Sequence, residues 1–354
     1  MKIAIVTGPT GGHFFPGLAI AEQLRNKKNI EISFFIPGKD YIVRWLKQKE
    51  FNYNIIEDVK ISIKKPSSFL KLLYLIFRTY NILLKGKFDI VVITGSYTTL
   101  PFLLASFFCN KKIFVHEQNV IPGKITKLSL FIADRIALSF PTTIINKKKV
   151  IITGFPVPED FKKKYQKKDV LLQFNFSEEN KTVLILGGSQ GASFLNTLII
   201  ENMEYLSKKN LQFIHLAGGK DKKQISSAYQ KHGVKFHVFD FYFDMANLYS
   251  ITDIVICRAG AGTLAEICEW KIPAIVIPYP YAGGHQRYNA IYFAKQGGCN
   301  ILEQSQDSIK LFPYVFEKTL QEMDIIKEQI KKISIVDNNN KNINAIMELL
   351  KNGK

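Results

Sequence analysis

Asp253-Ile254-Val255-Ile256-Cys257 runs directly into Arg258-Ala259-Gly260-Ala261-Gly262-Thr263-Leu264-Ala265-Glu266, and this stretch decides the fold. The apolar run predicts a buried strand, the glycines at 260 and 262 a tight turn, and Thr263 the start of a helix. Similar corners occur at Gly8-Pro9-Thr10-Gly11-Gly12-His13 and at Gly187-Gly188-Ser189-Gln190-Gly191-Ala192. Small residues let backbone N–H groups approach a ligand closely, and a helix N-terminus adds partial positive charge, so each corner can seat a phosphate. A single corner is as readily a βα turn that needs glycine only for its shape. Three of them in two halves of one chain point to a nucleotide-linked ligand held between two domains.

Short apolar runs alternate with helix-length segments throughout. Strands are expected at 2–7, 31–36, 53–56, 89–94, 112–115, 135–138 and 150–152, then at 182–186, 212–216, 235–238, 253–257, 274–277 and 299–302. Strands spaced by helices imply right-handed βαβ units and parallel sheets covered on both faces. The fold class read from this is α/β: two doubly wound, Rossmann-like domains facing each other across a cleft, with ligands at the carboxyl ends of the strands. The expected domains are 1–155 and 156–336, and a last helix at about 337–354 packs back on the first. The lysine-rich stretch through Lys168 is the connection.

The length of 354 residues and an apolar fraction of 47% suit two sizeable cores. Cys109, Cys257, Cys268 and Cys299 have no CxxC spacing and read as reduced, buried residues. The N-terminal strand lacks the long apolar core of a signal peptide, and no uncharged apolar run approaches the ~20 residues of a membrane span. The expectation is a soluble protein. Of 48 basic residues only six are arginine, so the net charge of +18 is carried by lysine. A compositional lysine bias explains it as well as attraction to a polyanion does. No nucleic-acid module accompanies the charge, which makes an anionic membrane surface the better polyanion. The segment Ser68 to Lys85, apolar with Lys71, Arg78 and Lys85 around it, reads either as a core helix or as a face resting on lipid headgroups. In the second reading Leu72 and Leu75 belong to the lipid-contacting patch, and Ile61 to Lys65 adds to it.

No corner matches a P-loop or a GxGxxG fingerprint. Thr263 and Glu266 have capping-box spacing, so Glu266 is either a helix cap or a carboxylate for a pair of ribose hydroxyls. His13, at a helix N-terminus, would be held neutral as a general base requires, or would simply bond loop backbone. His116-Glu117-Gln118-Asn119 closes a strand with four polar side chains suited to a sugar or an acceptor, and His285-Gln286 with Asn289 stands just beyond another strand. No Asp-x-Asp occurs, so a diphosphate would be met by N–H groups, helix ends and Arg258 or lysines rather than through a metal.

With these residues in place, the chain resembles the lipid II synthase family, the inverting GT-B-class undecaprenyldiphospho-muramoylpentapeptide β-N-acetylglucosaminyltransferases of glycosyltransferase family 28. The resemblance rests on Gly11 to Ala19, Thr94-Gly95-Ser96-Tyr97, His116 to Asn119, Gly187 to Ala192, Cys257 to Glu266, and His285-Gln286 with Asn289-Ala290, in family order from residue 8 to about 300. It implies transfer of GlcNAc from UDP-GlcNAc to the muramoyl 4-hydroxyl of lipid I, without cofactor or metal, at the cytoplasmic face of the cell membrane. Donor contacts are implied for Thr10, Gly11, Gly12, Asn119, Ser189, Gln190, Tyr242, Arg258, Ala261, Gly262, Thr263, Glu266, His285, Gln286 and Asn289. Acceptor contacts are implied for Gly12, His13, Ser96 and Tyr97, with His13 as general base and Glu117 as its rival. Two departures stand out. The family's Gly-Asn-Pro-Val-Arg is Gly154-Phe155-Pro156-Val157-Pro158 here, with Lys162 to Lys164 the candidates for the missing cation, and its Thr-Gly-Gly-Tyr corner carries Ser96. The alternatives on the same fold are a UDP-sugar hydrolase or a transferase with another lipid or polysaccharide acceptor. A non-catalytic basic binding protein is the alternative of another class.

Overall fold

The computed structural model describes residues 1–58, 66–141, 148–187, 192–219 and 221–351. The chain divides into two compact units, Met1–Pro158 with Ile335–Lys354, and Glu159–Ser334. Each of the thirteen apolar runs forms a strand. The first unit holds β1 (Lys2–Val6), β2 (Glu31–Pro37), β3 (Asn52–Ile56), β4 (Ile90–Ile93), β5 (Lys112–Glu117), β6 (Arg135–Leu138) and β7 (Val150–Ile152). The second holds β8 (Lys181–Leu186), β9 (Leu211–Leu216), β10 (Lys235–Phe239), β11 (Ile254–Cys257), β12 (Ala274–Val276) and β13 (Asn300–Ile301).

All pairings between these strands are parallel. The sheet orders are β3-β2-β1-β4-β5-β6-β7 and β10-β9-β8-β11-β12-β13. In each sheet the order reverses at the unit's first strand, so the switch points lie between β1 and β4 and between β8 and β11. Ligands of such sheets bind outside the strands' carboxyl ends at these points. The central strands are apolar on both faces because helices cover both. Val91, Ile93 and Val115 in one sheet, and Val183, Ile185 and Ile256 in the other, are fully buried. Burial of each such side chain contributes roughly 1.5–3 kcal/mol.

The chain returns to the first unit through a short backbone exchange. Phe155 N–H donates to Ile335 O at 2.7 Å and Asp337 N–H to Phe155 O at 3.0 Å. Gly154 takes φ +87°, and a Cβ there would fall 2.7 Å from the Val336 carbonyl carbon, so only glycine allows the approach. Buried Asp337 caps the helix Lys341–Lys351 by accepting from the Lys341 and Asn342 N–H groups at 2.8 and 3.0 Å. That helix buries Ile343, Ile346, Leu349 and Leu350, packing on the helix Gly11–Arg25 and on β5 and β6. Phe155, at the family's Asn position, is buried with its ring edge-on to His116 at 6.2 Å. The lysines proposed to replace the lost cation have local partners in the second unit. Lys162 pairs with Glu159, Lys163 with Asp160, and Lys164 lies over the Trp270 ring.

Two local expectations are corrected. The helix after β11 starts at Ala261, two residues before Thr263, with Gly260 as its N-cap. In the helix Pro66–Lys85, Leu75 is buried and Leu72 is half-buried against the core. The exposed apolar positions are Phe69, Leu70, Leu73, Tyr74 and Phe77. Residues 61–65 lie outside the described residues.

Candidate active site

In the first unit, three strand ends converge. β1 ends in Gly8–Thr10, and Thr10 caps the helix that carries His13 in its first turn. The Thr10 hydroxyl lies 2.8 Å from His13 Nδ1, which orients the ring. Thr94, at the end of β4, donates its hydroxyl to the His13 carbonyl at 2.6 Å. Pro16 has no N–H to offer the carbonyl four residues back, so the Gly12 carbonyl lacks its helical partner at this exposed corner. The β4 corner presses against the β1 corner: a Cβ on Gly8 would meet Ser96 Cβ at 2.5 Å, and one on Gly95 would meet His13 Cδ2 at 3.3 Å. Ser96, where the family has glycine, keeps a glycine-type backbone at φ 76°, ψ 145°. Tyr97 follows it, 45% exposed.

The four polar residues ending β5 separate by role. His116 is wholly buried, and burial holds its imidazole down at about 4, therefore neutral. Gln118 is buried and ties strands together, donating to Thr94 O and His116 O at 3.0 Å each. The Glu117 carboxylate, 3% exposed, accepts from the Asn119 N–H (2.9 Å) and amide (3.3 Å), the Gly123 N–H (2.9 Å) and the Thr126 hydroxyl (2.5 Å). With both oxygens occupied, it shapes the loop and the start of the helix Lys124–Ile132. Asn119 alone of the four keeps solvent access.

In the second unit, Ala261, Gly262 and Thr263 form the first turn of the helix after β11. Their N–H groups have no acceptor within that helix. Arg258 is buried between the rings of Phe194 (5.7 Å) and Tyr279 (5.5 Å) and donates to Ile277 O at 3.1 Å. It has no carboxylate partner among the described residues, and burial lowers its guanidinium below the usual range. A cation so placed at a strand's carboxyl end is arranged for an anion.

Glu266 is not a helix cap. Because the helix begins earlier than its spacing suggested, Glu266 sits in the second turn and accepts the Tyr249 hydroxyl at 2.6 Å. Burial pushes its carboxyl up to about 7, against the pull of that hydrogen bond. Gln286 accepts the Tyr279 N–H at 3.0 Å on the loop after β12, where Gly283 and Gly284 take φ +74° and +69° and place His285 at the next helix start. Asn289 is fully buried with its amide on Ala259 O at 3.2 Å, inside the corner rather than on its surface. Tyr242, after β10, packs on Phe239 and donates its hydroxyl to Asn247.

The structure thus gathers Thr10, Gly11, Gly12, His13, Ser96, Tyr97 and Asn119 at the β1, β4 and β5 ends. It gathers Arg258, Ala261, Gly262, Thr263, Glu266, His285, Gln286 and Asn289 at the β11 and β12 ends. Gly188, Ser189, Gln190 and Gly191 lie outside the described residues. The sequence reading missed Tyr249, Phe194 and Tyr279, the partners of Glu266 and Arg258. These pairs form through tertiary contact and leave no local pattern.

Models of the glycosyltransferase family 28 N-terminal and C-terminal domains match residues 3–138 and 182–352. A Thermodesulfovibrio yellowstonii protein, UDP-N-acetylglucosamine–N-acetylmuramyl-(pentapeptide) pyrophosphoryl-undecaprenol N-acetylglucosamine transferase, is 33% identical over 338 residues, 93% of this chain and 92% of its own. A protein of the same name from Aquifex aeolicus is 33% identical over 336 residues, 93% and 95% of the two chains. The crystal structure of Acinetobacter baumannii MurG superposes with a TM-score of 0.77 at 24% identity, covering 98% and 99%.

Proposed function

The chain belongs to glycosyltransferase family 28, and we propose that it transfers GlcNAc from UDP-GlcNAc to lipid I, forming lipid II for peptidoglycan synthesis. One observation carries the reading furthest: in each unit the described candidate residues collect at strand carboxyl ends on one side of the point where the sheet order reverses, the β11 and β12 ends in the second unit and, with β1, the β4 and β5 ends in the first. The second unit (Glu159–Ser334) takes the donor. Arg258 and the N–H groups of Ala261, Gly262 and Thr263 meet the diphosphate, Glu266 accepts the ribose hydroxyls, and backbone beside Tyr242 reads uracil. Gln286 meets the sugar, while buried Asn289 positions the Ala259 corner.

The first unit takes the acceptor at Gly12, His13, Ser96 and Tyr97. The muramoyl 4-hydroxyl attacks the GlcNAc anomeric carbon from the face opposite UDP, forming the new C–O bond as the bond to the diphosphate oxygen breaks. His13 Nε2 takes the hydroxyl proton. The engaged carboxylate of Glu117 argues for His13 as the base. Charge developing on the departing UDP falls on Arg258 and the helix N-terminus, which are already oriented for it. We place the protein at the cytoplasmic membrane surface. No described helix is long and apolar enough to cross a membrane. Phe69, Leu70, Leu73, Tyr74 and Phe77 stand exposed on one helix, with Phe107, Phe108 and Phe131 exposed on helices of the same unit.

The test is an assay with radiolabelled UDP-GlcNAc, with and without a lipid I analogue and with chelator present. Label should move to the lipid in both the presence and absence of EDTA. Failure to label lipid under any condition would sink the reading, and acceptor-independent release of free GlcNAc would support the hydrolase instead.

A further inference from the structure

Tyr249 stands on the helix Met245–Ile251 and is buried. Its ring tilts against Trp270 with centroids 6.1 Å apart, and its hydroxyl donates to Glu266 Oε2 at 2.6 Å. A buried phenol needs an acceptor, but a neutral one would serve without drawing a carboxylate toward the interior. No cation offsets that cost: Tyr249 is the one donor to this carboxylate among the described residues. Cys257, the other titratable group beside it, is kept protonated by burial. Burial also disfavours the ionised form of Glu266, and the bond from Tyr249 pulls the other way.

Glu266 lies three and four residues beyond Thr263 and Gly262, so the three share a face of the helix Ala261–Trp270. Helix side chains lean back toward the N-terminus, which directs the carboxylate at the turn assigned to the diphosphate. Glu266 keeps partial solvent access, and its Oε1 has no hydrogen-bond partner among the described residues. One oxygen is tied inside and the other is left for a ligand. An untied glutamate would have to be ordered by the ligand itself, at a cost to binding. We infer that Tyr249 is a positioning residue for the donor's ribose: its hydroxyl pins Glu266 Oε2 and so presents Oε1 to the vicinal hydroxyls of a nucleoside diphosphate. The inference rests on the donor reading above, in which Glu266 accepts those hydroxyls. Tyr249, being buried, acts through Glu266 alone.

The test titrates full-length protein by calorimetry with UDP and with 2′,3′-dideoxy-UDP, which lacks both ribose hydroxyls. Wild type should bind UDP more tightly by about tenfold or more, the scale of a hydrogen bond to a charged group. Tyr249→Phe keeps the ring on Trp270 and removes only the hydroxyl. It should weaken UDP about fivefold (about 1 kcal/mol) and leave the dideoxy analogue as in wild type, so that most of the preference disappears. Glu266→Gln should lose the preference too, and adding Tyr249→Phe to it should weaken UDP no further. A Tyr249→Phe protein that melts like wild type and keeps the full preference overturns the inference. An equal loss for both ligands also overturns it, because it marks a merely structural role. If Tyr249→Phe melts low, Glu266→Gln and the double variant remain comparable, and a further loss of UDP in the double variant overturns the inference. A preference retained in Glu266→Gln removes the ribose assignment, and the inference falls with it. A preference that depends on Tyr249 in a protein that labels no lipid supports the inference and places the failure in the acceptor reading.

Discussion

At Ser96 a side chain occupies a backbone conformation that glycine adopts freely. Residues held in such regions cost about 1–3 kcal/mol, and Ser96 has φ 76°. Ser96→Gly is therefore expected to raise the melting temperature of the protein by a few degrees, and an unchanged or lower value by differential scanning fluorimetry counts against strain there. Glu266 makes the second prediction. Its folded carboxyl is raised to about 7 from 4.5 by burial. A raised carboxyl binds its proton more tightly when folded. Its contribution therefore favours the fold below about pH 4.5 and is lost as pH rises to 7. Ribose hydroxyls need the ionised form, so KM for UDP-GlcNAc should fall between pH 6 and 8. Glu266→Gln should remove that dependence and raise KM at pH 8; a Gln variant with the wild-type pH profile would remove Glu266 from the ribose site. Motifs made these residues legible as candidates. They did not reveal Tyr249, whose hydroxyl reaches Glu266 from a helix 17 residues earlier.

At the scale of the element, the helix Pro66–Lys85 shows what periodicity leaves undecided. It is apolar on nearly every side, so pattern alone left a core helix and a lipid-facing face both open, with Leu72 and Leu75 in the patch under the second reading. Packing against the helix Leu100–Phe108 and the sheet turned Leu75 inward and left Leu73 and Phe77 exposed at 47% and 67%. Leu73→Glu with Phe77→Glu should weaken binding to anionic vesicles roughly tenfold or more while leaving the melting temperature near wild type. Leu75→Glu buries a charge in the core and should destabilise the first unit by more than about 3 kcal/mol. Vesicle binding that ignores the Leu73 and Phe77 pair would reject this face as the membrane contact. The helix at Ala261–Trp270 gives the same lesson. Capping-box spacing put its start at Thr263, but the backbone of Gly260 caps it earlier and leaves Glu266 for another purpose.

For the whole molecule, the return of the chain to the first unit depends on the narrow approach at Gly154. Gly154→Ala forces a side chain onto φ +87° and against Val336 backbone. The expected loss exceeds about 2 kcal/mol, read as a lower urea midpoint. Ending the chain after Asn338 should lower that midpoint further by uncovering the surface now buried by Ile343, Ile346 and Leu350. A truncated chain as stable as the full one would show that this helix contributes little.

The sequence by itself determined the thirteen strands, both parallel sheets and the glycine corners that end β1 and β11, because a strand buried on two faces must be apolar and a tight βα corner must be small. Those are local constraints, written within a few consecutive residues. Only the tertiary structure decided that Glu117 is saturated by four donors, that Asn289 lies beneath its corner, that Arg258 is held between two rings, and which face of the apolar helix meets solvent. Each of these depends on which side chains from distant segments arrive at one place, and no periodicity or spacing along the chain encodes that arrival.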